Sequence, residues 1–131
     1  MNLPAIDVKD MLEAESILGL TFATDLFVGF EPDSPDDVVT VFDTTGFSPE
    51  QDFDGGVAYF YPSVQVRVRN RSYTEAGRIM NLIKGILHGK QQETWNGTLY
   101  TTIYCTGEPA LLVWDSSKRA VWVCTFNLQR K

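Results

Sequence analysis

The stretch VQVRVRNRSYTEAGRIMNLIKGIL, residues 64–87, constrains the fold more than any other part of the chain. Its three valines alternate with polar residues, which is the period-two pattern of a half-buried β-strand. Ser72 and Glu75 then form a Ser-x-x-Glu capping box, the signature of a helix N-terminus. Apolar residues recur every three or four positions until Gly89, a helix stop. We therefore predict a strand followed by a helix over 73–88 that covers the valine face.

The remaining segments predict a second helix and five more strands. Pro4 suits the first turn of a helix and Gly19 suits its end, which places this helix at about residues 4–18. Apolar and β-branched runs predict strands at 25–30, 38–43, 98–105, 110–114 and 120–128. The turn DSSKR joins the last two strands as a tight hairpin, and TTGFSPEQDFDGGVAYF, residues 44–60, has the composition of an exposed loop.

This order of elements predicts an α+β fold, with a mainly antiparallel β-sheet and two main helices packed on one face. A chain of 131 residues that is 44% hydrophobic is long and apolar enough for one core, so we expect a single domain over 1–131. The two cysteines, Cys105 and Cys124, lie in apolar segments and are expected to be free thiols that behave as small hydrophobes.

The charge balance limits the partners. Seventeen acidic residues against eleven basic ones give a net charge of −6, which disfavours nonspecific binding to nucleic acid or to an anionic membrane. The sequence contains no apolar run close to the ~20 residues of a membrane span. Any contact with DNA is therefore expected to be local or merely permissive.

Few residues point to catalysis or metal binding. His88 ends the second helix, where a positive side chain interacts well with the helix C-terminus, and it has no evident nucleophile to activate. The nearest approach to a metal-binding constellation is a set of acids on loops: Asp33, Asp36, Asp37, Asp52 and Asp54. Asp-rich turns more often serve local hydrogen bonds, so we predict no catalytic, cofactor-binding or metal-binding residues. A small metal-dependent hydrolase using Asp52, Asp54 and the acids near Asp36 remains an alternative.

Arginines and tryptophans are the candidate contact residues. The arginines at alternate strand positions could form a solvated face, contact DNA phosphate, or pair with acids of a neighbouring subunit, and the acidic excess favours the neighbour. The tryptophans could fill a covered face of the sheet or emerge in contacts between chains, where Trp is enriched. The candidate interface residues are Arg67, Arg69, Arg71, Trp114, Trp122, Asp52 and Asp54.

Three segments taken together resemble a known family. LFVGFEPDSPDDVVTVFDTTG, PSVQVRVRNRSYTEAGRIMNLIKGIL and GEPALLVWDSSKRAVWVCTFNLQ resemble, in their order and spacing, the minor capsid or tail terminator proteins of tailed bacteriophages. One departure is that the turn DSSKR lacks a glycine.

The resemblance implies an α+β subunit that assembles into a ring, commonly a hexamer, which caps the finished tail tube and presents a surface to the head. It implies no catalysis and no cofactor. The implied partners are further copies of the chain, the tail tube protein and head-tail connector proteins, with DNA only as cargo in the lumen and no membrane. The implied location is the tail or neck of the virion, after assembly in the host cytoplasm. Another connector of the phage neck, such as a head-completion protein, is the alternative within this class.

Overall fold

The computed structural model describes residues 1–49 and 59–131 of the chain. The helices and strands in these ranges are α1 (Pro4–Glu13), β1 (Leu26–Val28), β2 (Val38–Phe47), β3 (Tyr61–Asn70), α2 (Tyr73–Leu87), β4 (Gln91–Trp95), β5 (Thr98–Cys105), β6 (Ala110–Trp114) and β7 (Ala120–Arg130). They build one sheet in the order β1-β2-β3-β7-β5-β4, with β6 also paired to β7. The β1–β2 pair is parallel and the other pairs are antiparallel. The predicted α+β class is confirmed.

Strand β7 organises the C-terminal half of the sheet, because β5 and β6 both lie along one of its edges. Cys105 of β5 pairs with Phe126, and Ala110 of β6 pairs with Val123. Between these two pairs, the Thr106 N–H donates to the Thr125 carbonyl oxygen at 2.9 Å. The two strands therefore follow one another along β7, with β6 at the end where β7 begins.

Both helices cover the valine face of β3, as predicted. Val64, Val66 and Val68 are buried, and they share one core with the apolar sides of α1 and α2. The Ala5 N–H at the start of α1 donates to Asp43 Oδ1 of β2 at 3.0 Å, so the cap of this helix comes from the sheet rather than from the preceding residues. Tertiary contact thus completes a helix end that lacks a local cap.

Only one of the two hydrogen bonds of the capping box of α2 forms. The Glu75 N–H donates to Ser72 Oγ at 3.3 Å, but the Glu75 carboxylate bonds to Arg78 one turn later. The Ser72 N–H donates instead to Asn70 Oδ1 at 2.9 Å. The motif predicted the helix start correctly, while a neighbouring asparagine takes over the second bond.

The first helix is shorter than predicted, since it ends at Glu13 and not near residue 18. The Leu18 N–H bonds to the Glu15 carbonyl oxygen in a tight turn, and Gly19 has a positive φ of 63°. Ile17, which lies inside the predicted helix, is 67% exposed. The apolar spacing continues beyond Glu13, but Leu18 packs against the core from a turn and not from the helix.

Part of the segment predicted as a loop is strand. Strand β2 continues through Phe47, which pairs with Tyr61, and the register shifts between Thr44 and Phe47. Gly46 allows the close approach that this irregularity needs, because a Cβ there would lie 2.1 Å from the Tyr61 carbonyl oxygen. Within the rest of the predicted loop, residues 50–58 fall outside the described residues.

Two hairpins follow turn chemistry that differs from expectation. Strand β4 was not predicted, and it joins β5 through Asn96 and Gly97, whose φ angles are 50° and 79°. The Asn-Gly pair is a strong sequence signal for a hairpin turn, but the polar sequence of β4 gives no signal for a strand. In the predicted DSSKR hairpin, Lys118 adopts the positive φ of 63° that a glycine would otherwise supply.

In the described ranges, neither helix is long and apolar enough to cross a bilayer.

Candidate intersubunit surface

The acidic turn EPDSPDD, residues 31–37, folds over the polar face of the sheet and is held there by arginines. Arg69 of β3 donates from Nη2 to the Pro35 carbonyl oxygen at 2.7 Å and from Nε to the Asp36 carbonyl oxygen at 3.1 Å. Its Nη1 lies 3.4 Å from Glu31 Oε1. Arg69 is only 4% exposed. For Arg69 the structure therefore excludes the alternative of a solvated strand face, because its guanidinium is bound to acceptors of its own chain.

Arg119, at the end of the β6–β7 turn, is the second buried arginine that holds the acidic turn in place. It was not singled out from the sequence. Its Nη1 donates to the Asp33 carbonyl oxygen at 2.6 Å, and its Nη2 lies 3.0 Å from Asp33 Oδ1. Its Nε donates to Asp115 Oδ2 at 2.7 Å. Partial burial would raise the pKa of Asp115, but the hydrogen bonds from Arg119 and Ser117 hold it below its usual range. A lone arginine in a turn carries no sequence signal for this role.

Arg67 and Arg71 remain closer to the solvent. Arg71 pairs with Asp37 at 3.4 Å and with Asp36 at 3.7 Å, and all three side chains are largely exposed. Arg67 donates from Nε to Gln65 Oε1 at 2.7 Å, and its guanidinium lies 5.2 Å from the centre of the Phe42 ring. Within residues 1–49 and 59–131, Arg67 has no carboxylate at ion-pair distance. Its charge is therefore the one on this face that is left without an acidic partner in the described chain.

Strand β6 is apolar, yet all five of its residues are exposed. Leu112 and Val113 are each 49% exposed, and Trp114 is 48% exposed. One edge of β6 pairs with β7, and in the described part of the sheet no strand pairs with its outer edge. An apolar edge strand of this kind is a ready site for association with another chain.

The two candidate tryptophans differ in exposure. Trp122 is half-buried on β7, and its ring lies so close to α2 that a Cβ on Gly77 would meet it at 3.1 Å. Trp114 is on the exposed strand, and its ring stacks on Tyr73 with the centroids 6.2 Å apart. The Tyr73 ring also contacts the Trp122 ring, with the two centroids 5.3 Å apart. The three rings thus form a continuous aromatic surface from the core edge out to β6.

A buried polar cluster was also missed by sequence analysis. Asp7 of α1 is fully buried and accepts hydrogen bonds from the Tyr100 hydroxyl and from Asn96 Nδ2. Arg130 Nη1 donates to the Tyr100 hydroxyl oxygen at 3.2 Å. Burial, together with the bond to Asp7, raises the pKa of Tyr100. The available signal was that Asp7 lies four residues before Met11, on the apolar stripe of α1. The cluster joins α1 to the sheet and does not open onto the candidate surface.

The thiols and the histidine have structural roles. Both cysteines are free, as expected, and burial raises the pKa of Cys124 to about 11. His88 Nδ1 accepts a hydrogen bond from the Cys105 backbone N–H at 3.1 Å. This contact ties the side chain at the end of α2 to the backbone of β5.

The acids considered for metal binding separate into two groups. Asp33, Asp36 and Asp37 pair with arginines, while Asp52 and Asp54 lie outside the described residues. Among residues 1–49 and 59–131, no group of three or more His, Cys, Asp or Glu side chains is placed to hold a metal ion.

The surface that remains combines an exposed apolar strand, adjoining aromatic rings and an arginine without an acidic partner. Trp, Tyr and Arg are the residues enriched where proteins bind one another. These features are typical of a protein that works through contacts with other chains.

A sequence model of the family described as bacteriophage tail terminator protein matches residues 15–131, and the chain belongs to this family. It is therefore a structural protein of a phage virion, with its place in the tail. Comparison with curated proteins gave no match.

Among solved structures, a chain from the virion of a native gene transfer agent particle has a similar fold. The TM-score is 0.69, and the match covers 97% of this chain and 93% of that chain at 12% sequence identity. At this level of identity the likeness concerns the fold alone.

Proposed function

We propose that this chain is the tail terminator itself: it assembles into a ring, a hexamer, that caps the finished tail tube and forms the surface that joins the head. The observation that carries the proposal is the family match over residues 15–131. The exposed apolar strand β6 supports it, because a subunit that works alone has no use for such a strand.

The charge of the chain is consistent with a DNA conduit. Each copy contributes a net charge of −6, and the arginines Arg69, Arg71 and Arg119 are paired with acids of their own chain. A ring of such copies would repel a DNA backbone from most of its wall. DNA would then pass through the lumen as cargo without being gripped, and assembly would take place in the host cytoplasm.

The test combines particle mass with tail assembly. Light scattering after size exclusion and negative-stain images should show rings, either of the free protein or on the ends of purified tail tubes. Tubes incubated with the protein should stop lengthening and should become competent to join heads. A chain that stays a single subunit at high concentration and also beside tail tubes would contradict the proposal.

A binding comparison separates the terminator from another neck protein. Tail tube protein and portal complex are each immobilised, and the chain is passed over both. Retention by the tail tube protein is expected. Retention by the portal complex alone would assign the chain to the head side of the neck as a head-completion connector.

A further inference from the structure

We propose that β6 and Tyr73 form the contact surface for a second copy of this chain, and that they bind the β1 side of that copy. The β6 patch is defined as Tyr73, Leu111, Leu112, Val113 and Trp114. This inference rests on the proposed ring and says which surfaces build it.

The size of the patch fits a contact between copies. Aromatic side chains carry ~200 Å² each, so Tyr73 and Trp114, each about half exposed, leave ~200 Å² uncovered between them. The three aliphatic residues bring the exposed apolar area to the order of 400 Å², at the level where a patch on a monomer is often functional. A stable interface buries ~800 Å² per partner, of which a little over half is apolar. The patch therefore supplies the apolar share of one side of such an interface.

The pairing register places β6 and β1 at opposite lateral edges of the sheet and at the same height. One row of partners runs across five strands: Leu26, Val39, Val68, Trp122 and Leu111. With neighbouring strands ~4.8 Å apart, the two edges are separated by ~19 Å. Two copies set side by side bring β6 of one toward β1 of the next.

The β1 edge also offers an apolar group. Phe22 forms a bridge with Leu26 on the outer side of β1, and it is 45% exposed. Because the β6 patch and the β1 side are different surfaces, the contact is head-to-tail. Repetition of a head-to-tail contact with rotation closes a ring, whereas a contact of one surface with itself stops at a dimer.

Complementary variants test this arrangement. Leu112→Glu should damage the β6 patch and leave the β1 side intact, and Phe22→Glu should do the reverse. Each variant alone should lose the ring, with self-association weakened roughly 30-fold or more, the factor that corresponds to about 2 kcal/mol. Mixed in equal amounts, they should form a 1:1 dimer and nothing larger, because each brings one intact surface to the other.

The controls exclude simple charge repulsion and unfolding. Phe47→Glu adds the same charge at a more exposed phenylalanine at the far end of β2, and it should keep the ring. Circular dichroism spectra of all three variants should match that of the unsubstituted chain, and so should urea midpoints measured at a protein concentration low enough that the unsubstituted chain is a single subunit.

Three outcomes would overturn the inference: rings of normal mass from Leu112→Glu or Phe22→Glu, equal loss of rings in Phe47→Glu, or a mixture that yields no dimer. In each case rings of the unsubstituted chain would leave the proposed function standing. If the unsubstituted chain forms no ring in solution or on tubes, it is the proposed function that fails.

Discussion

Arg119 and Asp33 form an ion pair of 3.0 Å although 86 residues separate them in the sequence. The Arg119 side chain is 6% exposed and the Asp33 side chain is 95% exposed. The buried guanidinium is also paired with Asp36 and Asp115, so Asp33 is one of three carboxylates around it, and the acidic turn is held in position by Arg119. This relationship joins the β6–β7 hairpin, which carries the four β6 residues of the β6 patch, to the acidic turn between β1 and β2.

Replacement of Arg119 by methionine should lower the free energy of unfolding by about 2–3 kcal/mol, because several charge-assisted hydrogen bonds are lost at once. Urea denaturation measures the loss. Arg71→Met is the matched control, and it should cost no more than about 1 kcal/mol because its ion pairs are exposed. Equal losses in the two variants would show that Arg119 does not anchor the turn.

Glutamate at Arg67 and at Arg69 should have different consequences. Arg69→Glu would place a carboxylate beside Glu31 and two carbonyl oxygens in a buried position, so we expect a loss of about 3 kcal/mol or more in folding stability. Arg67→Glu should change stability by less than about 1 kcal/mol, since its charge has no acidic partner in the described chain.

For Arg67→Glu and Arg69→Glu, urea denaturation measures folding stability and sedimentation velocity of the refolded protein measures ring formation. A ring that Arg67→Glu weakens while the subunit stays folded would assign Arg67 to the contact between copies. A normal ring from Arg67→Glu would remove Arg67 from the candidate interface.

Two glycine-to-alanine changes should shift stability in opposite directions. At Gly46 a Cβ would collide with the Tyr61 carbonyl oxygen, so Gly46→Ala should destabilise the protein by about 2 kcal/mol. At Gly85, in the last turn of α2, a Cβ meets no atom within 4 Å, so Gly85→Ala should stabilise the protein by up to about 1 kcal/mol through helix propensity. Thermal unfolding followed by circular dichroism measures both, and a neutral Gly46→Ala would contradict the close approach of β2 and β3.

Cys124 should make folding stability depend on alkaline pH. Its pKa is raised to about 11 in the folded chain, so the unfolded thiol ionises first as the pH rises. The stability that the buried neutral thiol contributes is complete below the unfolded pKa and is lost as the pH rises toward 11. Between pH 8 and 10 the unsubstituted chain should lose about 1 kcal/mol more than Cys124→Ala. Parallel pH profiles of the two proteins in urea would refute this cause.

Much of the architecture could be predicted from local patterns. The alternation in β3, the capping box of α2 and the apolar runs of β5, β6 and β7 each carry a short-range signal, and the structure has these elements close to the expected positions. Strand β4 was missed because Gln91–Trp95 is mostly polar. The only local pattern that indicates this hairpin is the Asn-Gly turn that follows the strand. The early end of α1 was missed because the apolar spacing continues past Glu13, while Leu18 packs against the core from a turn.

The candidate surface could be predicted only in part. The alternating pattern indicated which face of β3 carries arginines, but it could not show that the acidic turn folds back over Arg69. It also could not distinguish Trp122, packed on α2, from Trp114, exposed on β6. Those outcomes depend on contacts between residues tens of positions apart, and no local pattern encodes them.

The sequence by itself determined the local elements and the resemblance to tail terminators, because hydrophobic period, capping and turn residues act over a few neighbouring positions. The tertiary structure alone decided which arginines are occupied within the subunit and which apolar strand is left uncovered. The reason is physical: burial and ion pairing depend on the distance between groups in space, and here the folding of the sheet brings Asp33 to Arg119 while it leaves the outer edge of β6 without a partner in the described chain.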